Sequence, residues 1–371
     1  MINDLLIVIS IVFFLLLILK LIVKEQPERF ENTKKETETL KDIFELNRPF
    51  VNLYDDKGNQ LNVTLLSRPF FATSHHDQYK KMGKLFNILG ISSYQEFPNE
   101  PFNPKDNYNK TTNKYDYNKW TNMCKGWLHC FRNTEDYLPK NMKGILLSES
   151  DFCDSNIHKP NPEKKKKYDF LYICHRDDLS DCSTTEWVAF NKNLELANKC
   201  ISNLCKNKKL KGLLVGRKGC DLPEHCTNLQ IELTDKLNYY DLVKKYDECK
   251  LLLIPNVHDA SPRVVTEALC HNMPILMNQK LVGGWKYIND KTGRFFNDEN
   301  DFEEKITDIL NNYDSFEPRK HFLDNYGILN AGKQLKEFIF EIFGDKVNIP
   351  KEKIKYVTPE FKKVDYKTET N

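Results

Sequence analysis

The sequence predicts an α/β protein with a doubly wound parallel sheet, and two observations lead to this prediction. Largely apolar runs at residues 168–174, 212–216 and 251–255 are typical of strands buried on both faces of a parallel sheet. Stretches with helical periodicity lie between these runs, the clearest at residues 194–204. Because ligands of such sheets bind beyond the carboxyl ends of the strands, we expect the functional residues in the loops there.

The N-terminal segment predicts membrane attachment. Residues 5–23 are almost wholly apolar, and about 20 such residues are enough to cross a bilayer. We therefore expect a single-pass transmembrane helix within residues 1–24, followed by a polar tether over residues 25–45. A cleavable signal peptide fits less well, because no positive segment precedes the apolar stretch and no small-residue cleavage site follows it.

The charges around this stretch predict its orientation. Lys20, Lys24 and Arg29 lie toward or beyond its C-terminal end. The positive-inside rule therefore places the body of the protein in the cytosol. The charge difference is small, so a lumenal body is the alternative.

Residues 46–157 contain a shorter set of sheet and helix signals and are predicted to form an N-terminal domain. Strands are expected at residues 61–66 and 144–147, where apolar residues cluster. Helical segments are expected at residues 78–89 and 120–131.

A linker is predicted at residues 158–167, which contain two prolines and four consecutive lysines. The apolar runs described above then belong to a C-terminal domain over residues 168–345. Residues 329–343 of that domain have helical periodicity, and residues 346–371 are predicted to form a polar tail.

The overall composition argues against a nucleic-acid partner. The 371 residues carry a net charge of +2, and the basic residues are not interleaved with aromatic residues as on a nucleic-acid surface.

The eleven cysteines are an odd number for a complete set of disulfides. Cys174 and Cys270 fall on a predicted strand and a predicted helix, which is typical of buried free thiols and favours a reducing compartment. Cys220, His225 and Cys226 lack a second pair of ligands at a recognisable spacing, so we expect no metal site.

The segment after the third apolar run is the clearest candidate for a binding site. Ser261 can cap a helix and Pro262 suits its first position, so a helix is predicted over residues 262–271. Backbone N–H groups and the helix dipole at its N-terminus favour a phosphate. Asp259 on the loop and Glu267 in the second turn offer carboxylates to sugar hydroxyls.

The two acids are separated by seven residues, and this spacing resembles the E-x7-E signature of GT-B glycosyltransferases of the retaining family-4 type. Asp259 stands in place of the usual first Glu. Residues 273–277, the glycine pair at 283–284 and residues 291–296 are similar in order and spacing to the PVV, GG and DG-x-TG-x-L segments of that family.

The resemblance implies a fold in which two Rossmann-like domains face a cleft and a C-terminal helix, here residues 329–343, packs back toward the N-terminal domain. It implies transfer of a hexose-like sugar from a nucleoside diphosphate sugar to an acceptor hydroxyl of a glycan, protein or lipid, with retention of configuration. It implies no cofactor, and the chain contains no D-x-D motif for a metal ion. Cationic side chains would then stabilise the leaving diphosphate.

The same resemblance implies roles for the residues around the predicted helix. Glu267 would hold the ribose of the nucleotide, and Asp259 the hydroxyls of the donor sugar. The backbone of Ser261, Pro262 and Arg263 would contact the phosphate or the sugar.

The diphosphate is served in the family by an Arg after the first strand and by a Lys-Gly pair at the head of the next helix. The matching residues are Arg176 and Lys192, with Asn193 in place of Gly. Arg217 and Lys218, just past the next strand, are the alternative phosphate contacts.

The acceptor side is less defined, because residues 67–71 contain no glycine where the family has a Gly-rich loop. Polar residues at the ends of predicted elements are the candidates: His75, His76, His129, Arg132, Glu149 and Asp151. A non-catalytic nucleotide-sugar-binding protein is the alternative function, motivated by the short N-terminal domain and the missing glycines.

A narrower resemblance links the chain to predicted glycosyltransferases of giant viruses and marine microalgae. Residues 187–193, 212–217, 255–263 and 282–287 carry it. It adds little about the substrate.

Overall fold

The computed structural model describes residues 48–70, 73–99, 120–207 and 209–361. The expected transmembrane helix and tether lie outside the described residues. Among the described helices, none combines the length and the apolar character needed to cross a membrane.

The N-terminal half is built on a mostly parallel sheet. Its first strands are β1 (Phe50–Asp55), β2 (Gln60–Leu66), β3 (Asn87–Ile91), β4 (Trp127–His129) and β5 (Gly144–Leu146). They lie side by side in chain order, with β1 antiparallel to β2 and the other neighbours parallel. Two helices, α1 (Thr73–Met82) and α2 (Trp120–Met123), precede β3 and β4.

The C-terminal half is a doubly wound domain, as predicted. Its six parallel strands are β6 (Tyr168–Ile173), β7 (Gly212–Val215), β8 (Ile231–Thr234), β9 (Cys249–Ile254), β10 (Ile275–Asn278) and β11 (Gly293–Phe296), in the order β11-β10-β9-β6-β7-β8. The helices around them are α3 (Trp187–Asn191), α4 (Leu194–Asn207), α5 (Tyr239–Glu248), α6 (Arg263–Cys270) and α7 (Phe302–Asn311). Separate apolar clusters cover the two faces of the sheet, which explains why its strands are apolar throughout.

The end of the chain returns to the N-terminal half. After α8 (Pro318–Asn325), the long helix α9 (Gly327–Phe343) packs Leu335 and Ile339 into the core that contains Val51 and Leu53. This confirms the predicted helix and its direction of packing. Part of the expected polar tail is instead the strand β12 (Val357–Pro359), which pairs antiparallel with β1, because Val357 adds its buried side chain to the same core.

Two helices expected in the N-terminal half are wrong in extent. The segment predicted as one helix over residues 78–89 contains the end of α1 and the start of β3, and the segment over residues 120–131 contains α2 and β4. Short apolar runs do not distinguish a buried strand from a helix by periodicity. The contact that decides the strand is distant in sequence: a Cβ on Gly90 of β3 would overlap the buried ring of Trp127 on β4.

Polar contacts join the two halves beside the cleft between them. The buried carboxylate of Asp151 accepts hydrogen bonds from Lys286 Nζ at 2.6 Å and from the Tyr287 hydroxyl at 2.9 Å. The indole N–H of Trp285 donates to the carbonyl of Cys130 at 2.8 Å. These contacts hold the N-terminal half against the C-terminal half.

Four of the cysteines form disulfides, Cys182 with Cys220 and Cys205 with Cys226. Cys220 and Cys226, where no metal site was expected, are thus each bonded to another cysteine. Cys174 and Cys270 are buried free thiols, as predicted.

Candidate functional site

A cleft of about 1040 Å³ lies between the two halves, at the carboxyl ends of both sheets. The C-terminal half contributes residues that follow β6, β8 and β9, and the N-terminal half contributes residues that follow β3 and β5. The polar lining residues are Arg48, Ser93, Glu149, His175, Lys192, Lys236, Asn238, Asp241, Asp259, Ser261, Arg263 and Glu267. Asp259 and Glu267, expected on either side of one helix end, therefore open into a single cleft.

The loop that leads into α6 is held by close backbone packing against the glycine pair. The N–H of Gly283 donates to the carbonyl of Asp259 at 3.0 Å, and the N–H of Val282 donates to the carbonyl of Val257 at 3.0 Å. A Cβ on Gly283 would overlap the carbonyl of Ala260. Only glycine allows this approach, so the predicted GG segment supports the loop that carries Asp259.

The start of α6 differs in detail from the prediction. The helix begins at Arg263, and Pro262 is the N-cap with no side-chain hydrogen bond. Ser261 does not cap the helix. Its hydroxyl instead accepts from the N–H of Ser150 at 2.9 Å and lies 2.8 Å from the Ser150 hydroxyl. This contact comes from the N-terminal half, which the local sequence could not reveal.

The carboxylate of Asp259 is paired with Lys192. Its Oδ2 accepts from Lys192 Nζ at 2.9 Å and from Asn256 Nδ2 at 3.1 Å, and its Oδ1 accepts from the N–H of Ser261 at 3.2 Å. Burial acts to raise the pKa of Asp259, but the ammonium of Lys192 and these hydrogen bonds outweigh it, so the pKa is lowered. Asp259 is therefore an anion at neutral pH.

The carboxylate of Glu267 has a different environment. It accepts a hydrogen bond of 2.7 Å from the buried hydroxyl of Tyr246. Burial raises the pKa of Glu267, and the Tyr246 hydrogen bond only partly opposes this. Glu267 also lines a second cavity of about 450 Å³, which shares Glu149, Tyr239 and Arg263 with the cleft. The environment of Asp259 on the loop therefore favours its charged form, whereas the environment of Glu267 on α6 disfavours the charged form.

Four residues were expected to contact the phosphates, and among them Lys192 lines the cleft. Arg176 donates to the carbonyls of Leu179 and Lys218, and Arg217 donates to the carbonyl of Cys182. Both guanidiniums are buried beneath the loop that follows β6, which the Cys182 disulfide also ties down. Lys218 is paired with Asp235 at 2.9 Å on the surface. The two arginines thus connect the loops after β6 and β7 through hydrogen bonds to backbone carbonyls.

Glu149 is the acceptor-side candidate that lines the cleft. The others lie elsewhere. Arg132 stacks over Trp285 at 5.0 Å and donates to the carbonyl of Gln279, and His75 on α1 packs against Phe70. Burial lowers the pKa of His129 to about 4, with the nearby Lys286 contributing.

His76 and Asp151 also stay away from the cleft. His76 packs edge-on against Phe70 at 4.8 Å, and Asp151 joins the two halves through Lys286 and Tyr287. His76 thus packs within the N-terminal half, and Asp151 forms part of the contact between the two halves.

Several cleft residues were missed from the sequence, and most belong to the loop between β8 and α5 or to the first turn of α5. They are Lys236, Asn238, Tyr239, Tyr240 and Asp241. β8 is a short strand with little apolar character, so the loop after it was not recognised. One local signal was present: Asn238 caps α5 by accepting from the N–H of Asp241, a pattern that sequence reading can find.

Within the described ranges, no group of three or more His, Cys, Asp or Glu side chains is arranged to hold a metal ion. Cationic groups at the cleft are Arg48, Lys192, Lys236 and Arg263.

Comparisons with known proteins identify the fold. No protein-family model and no curated protein sequence matches the chain. Among solved structures, the pneumococcal O-GlcNAc transferase GtfA in complex with UDP and GlcNAc matches with a TM-score of 0.51 and 14% identity, over 73% of this chain and 55% of that chain. TarM matches with a TM-score of 0.52 and 14% identity, over 72% of this chain and 53% of that one.

A sucrose-phosphate synthase from Thermosynechococcus elongatus matches with a TM-score of 0.52 and 13% identity, over 71% of this chain and 72% of that chain. The chain thus spans about half the length of the first two structures and nearly three quarters of the third. Similarity at such low identity establishes architecture and not substrate. With two Rossmann-like domains facing a cleft and a C-terminal helix returning to the first, the chain has the GT-B fold.

Proposed function

We propose that the protein is a glycosyltransferase that moves a hexose-like sugar from a nucleoside diphosphate sugar to an acceptor hydroxyl, with retention of configuration and without a metal ion. The observation that supports this proposal most is the position of Asp259 and Glu267 on one cleft, on either side of the α6 N-terminus. Retention rests on the family resemblance.

The charges of the cleft suit a sugar diphosphate. Asp259 is held as an anion by Lys192 and can accept hydrogen bonds from sugar hydroxyls. Lys192 and the N–H groups at the start of α6 can stabilise the diphosphate as it leaves, in a site partly removed from water. Burial raises the pKa of Glu267, and ribose hydroxyls would give its carboxylate the hydrogen-bond donors that burial takes away.

UDP sugars are the first donors to examine, because the similar GtfA structure contains UDP. The test is hydrolysis and transfer with UDP, GDP and ADP sugars, comparing the wild type with Asp259→Asn and Glu267→Gln. We expect each variant to lose about 100-fold or more in turnover, because each removes an interaction with the reacting donor. Glu341→Gln, on the exposed face of α9, is the matched control.

Full activity of both site variants would contradict the assignment. Tight binding of a nucleotide without hydrolysis or transfer on any acceptor would favour the non-catalytic alternative.

Membrane attachment through residues 1–24 is also proposed, and its orientation can be tested. The two disulfides of the C-terminal half are typical of an oxidising compartment and favour the lumenal orientation over the cytosolic one. Protease digestion of sealed membrane vesicles would leave a lumenal body intact and degrade a cytosolic one. The narrower resemblance to viral and microalgal proteins stays a prediction.

A further inference from the structure

Two guanidinium groups meet on one carboxylate at the cleft. Arg48 Nη2 lies 3.3 Å and Arg263 Nη1 lies 3.4 Å from the same oxygen, Oε1 of Glu149. Glu149 is 6% exposed, whereas the side chains of Arg48 and Arg263 are 33% and 54% exposed. A buried carboxylate thus holds two accessible cations side by side, and all three residues line the 1040 Å³ cleft.

This cluster has a surplus of positive charge and of hydrogen-bond donors. Two guanidiniums face one carboxylate, so the cluster carries one net positive charge. Each guanidinium has five N–H groups, and across the described ranges neither makes a hydrogen bond or ion pair beyond that with Glu149. Paired guanidiniums with unused N–H groups match the oxygens of a phosphate or a carboxylate.

Arg48 and Glu149 face the donor residues from across the cleft, whereas Arg263 is the first residue of α6 on the donor side. Arg48 precedes β1 and Glu149 follows β5, so both belong to the N-terminal half. The carboxylate–ammonium pair of Asp259 and Lys192 lies on the C-terminal half. Ser150, next to Glu149, touches Ser261 on the donor loop, so the two sets of residues are adjacent. A group bound between Arg48 and Arg263 would therefore lie where the two halves meet, next to the residues proposed to hold the donor.

We propose that Arg48 and Arg263 bind a phosphate or carboxylate group of the acceptor, so that the acceptor of this enzyme is an anionic molecule. This inference rests on the proposed transferase function and adds the chemical class of its second substrate. Glu149 is a positioning residue, because it sets the spacing of the two guanidiniums and contacts the anion only through them.

The experiment measures ligand binding by calorimetry with the full chain, both without UDP and in saturating UDP. The probes are glucose 6-phosphate, glucuronate and glycerol 3-phosphate, each compared with its neutral counterpart, glucose or glycerol. We expect at least one anionic probe to bind about tenfold or more tightly than its counterpart, the usual effect of a charge-assisted hydrogen bond. The phosphate and carboxylate probes separate the two possible groups.

The variants are Arg48→Ala, Arg48→Lys and the control Lys143→Ala, which breaks an exposed ion pair with Glu341 in the same half. Arg48→Ala should lose about tenfold in affinity for the anionic probe, Arg48→Lys should lose less, and Lys143→Ala should match the wild type. Thermal unfolding and UDP binding of each variant show that the fold and the donor side are retained.

Three results would overturn the inference. The anionic probes could bind no better than the neutral ones, Arg48→Ala could bind them as the wild type does, or UDP could displace them competitively, which would place the anion at the donor phosphates. Failure of the proposed function looks different, because neither UDP nor any nucleotide sugar would then bind or turn over.

Discussion

At the scale of single residues, the two acids of the site are tuned in opposite directions. Lys192 and two further hydrogen-bond donors, Asn256 and the N–H of Ser261, outweigh burial at Asp259 and lower its pKa. Glu267 has one hydroxyl donor, Tyr246, and burial raises its pKa. The sequence shows two carboxylates at a fixed spacing, but the environment gives them different roles.

Replacing Glu267 by Gln should stabilise the protein at neutral pH. Because the pKa of Glu267 is higher in the folded than in the unfolded chain, its contribution to stability is present below the unfolded value and is lost as the pH rises through the folded value. Gln keeps an acceptor for Tyr246 and carries no charge. We expect thermal unfolding at a higher temperature than the wild type at pH 7–8, and little difference near pH 4.

The exposed Glu341→Gln is again the control, and it should show no such pH-dependent gain. If the Glu267→Gln variant is less stable than the wild type at pH 8, the charged carboxylate of Glu267 is stabilised by more than the hydrogen bond from Tyr246.

At the scale of elements, the site depends on how one loop packs against another. The loop from β9 to α6 carries Asp259, and the glycine pair after β10 supports it through backbone hydrogen bonds. The strand, the helix and the glycine pair were all visible in the sequence, because apolar runs, helix starts and glycines are local signals. The hydrogen bond from Ser150 to Ser261 was not, since its partners are 111 residues apart.

Gly283→Ala should therefore damage both stability and donor binding. The new Cβ would overlap the carbonyl of Ala260, so the loop that carries Asp259 must move. We expect a loss of about 2 kcal/mol or more in the free energy of unfolding, and weaker UDP binding. Chemical denaturation and calorimetry measure the two effects.

Gly219→Ala is the matched control. Gly219 has a positive φ and open space around the Cβ position, so Ala there should cost about 1 kcal/mol and leave UDP binding unchanged. Equal effects of the two substitutions would mean that the close approach at Gly283 has no special importance for the site.

At the scale of the whole molecule, the two halves are joined by the polar contacts around Asp151 and by α9 and β12, which return to the N-terminal sheet. Two histidines have depressed pKa values: His129 is partly buried near Lys286, and His158, at the start of the predicted linker, is buried against Tyr239 and His271. Burial lowers the pKa of His129 on β4 to about 4, and that of His158 between the halves to about 4. Both must stay neutral for the fold to be stable.

Stability should therefore fall in mild acid. Because the folded pKa values are depressed, the stability that these histidines contribute is present above the unfolded value of 6.5 and is lost as the pH falls toward about 4. The loss is on the order of 1–3 kcal/mol for each. Denaturation curves from pH 7.5 to 4 should show it, and His158→Gln should flatten them, since Gln keeps a partner for the Tyr239 hydroxyl.

His225→Asn offers a control at an exposed histidine whose positive φ suits Asn. Its curve should parallel that of the wild type. A wild-type stability that stays constant from pH 6.5 to 4 would contradict the assigned burial of both rings.

The sequence by itself determined the C-terminal domain, the strand and helix that present Asp259 and Glu267, and the returning helix α9, because periodicity, apolar runs and glycines act within a few residues. Tertiary structure decided which other residues reach the cleft. Arg176 and Arg217 turn to backbone carbonyls of the loops after β6 and β7, while Arg48 and Glu149, 101 residues apart, meet opposite the donor residues. The physical reason is that a side chain's partner is set by how sheets and loops pack together, and spacing along the chain carries no record of contacts over such distances.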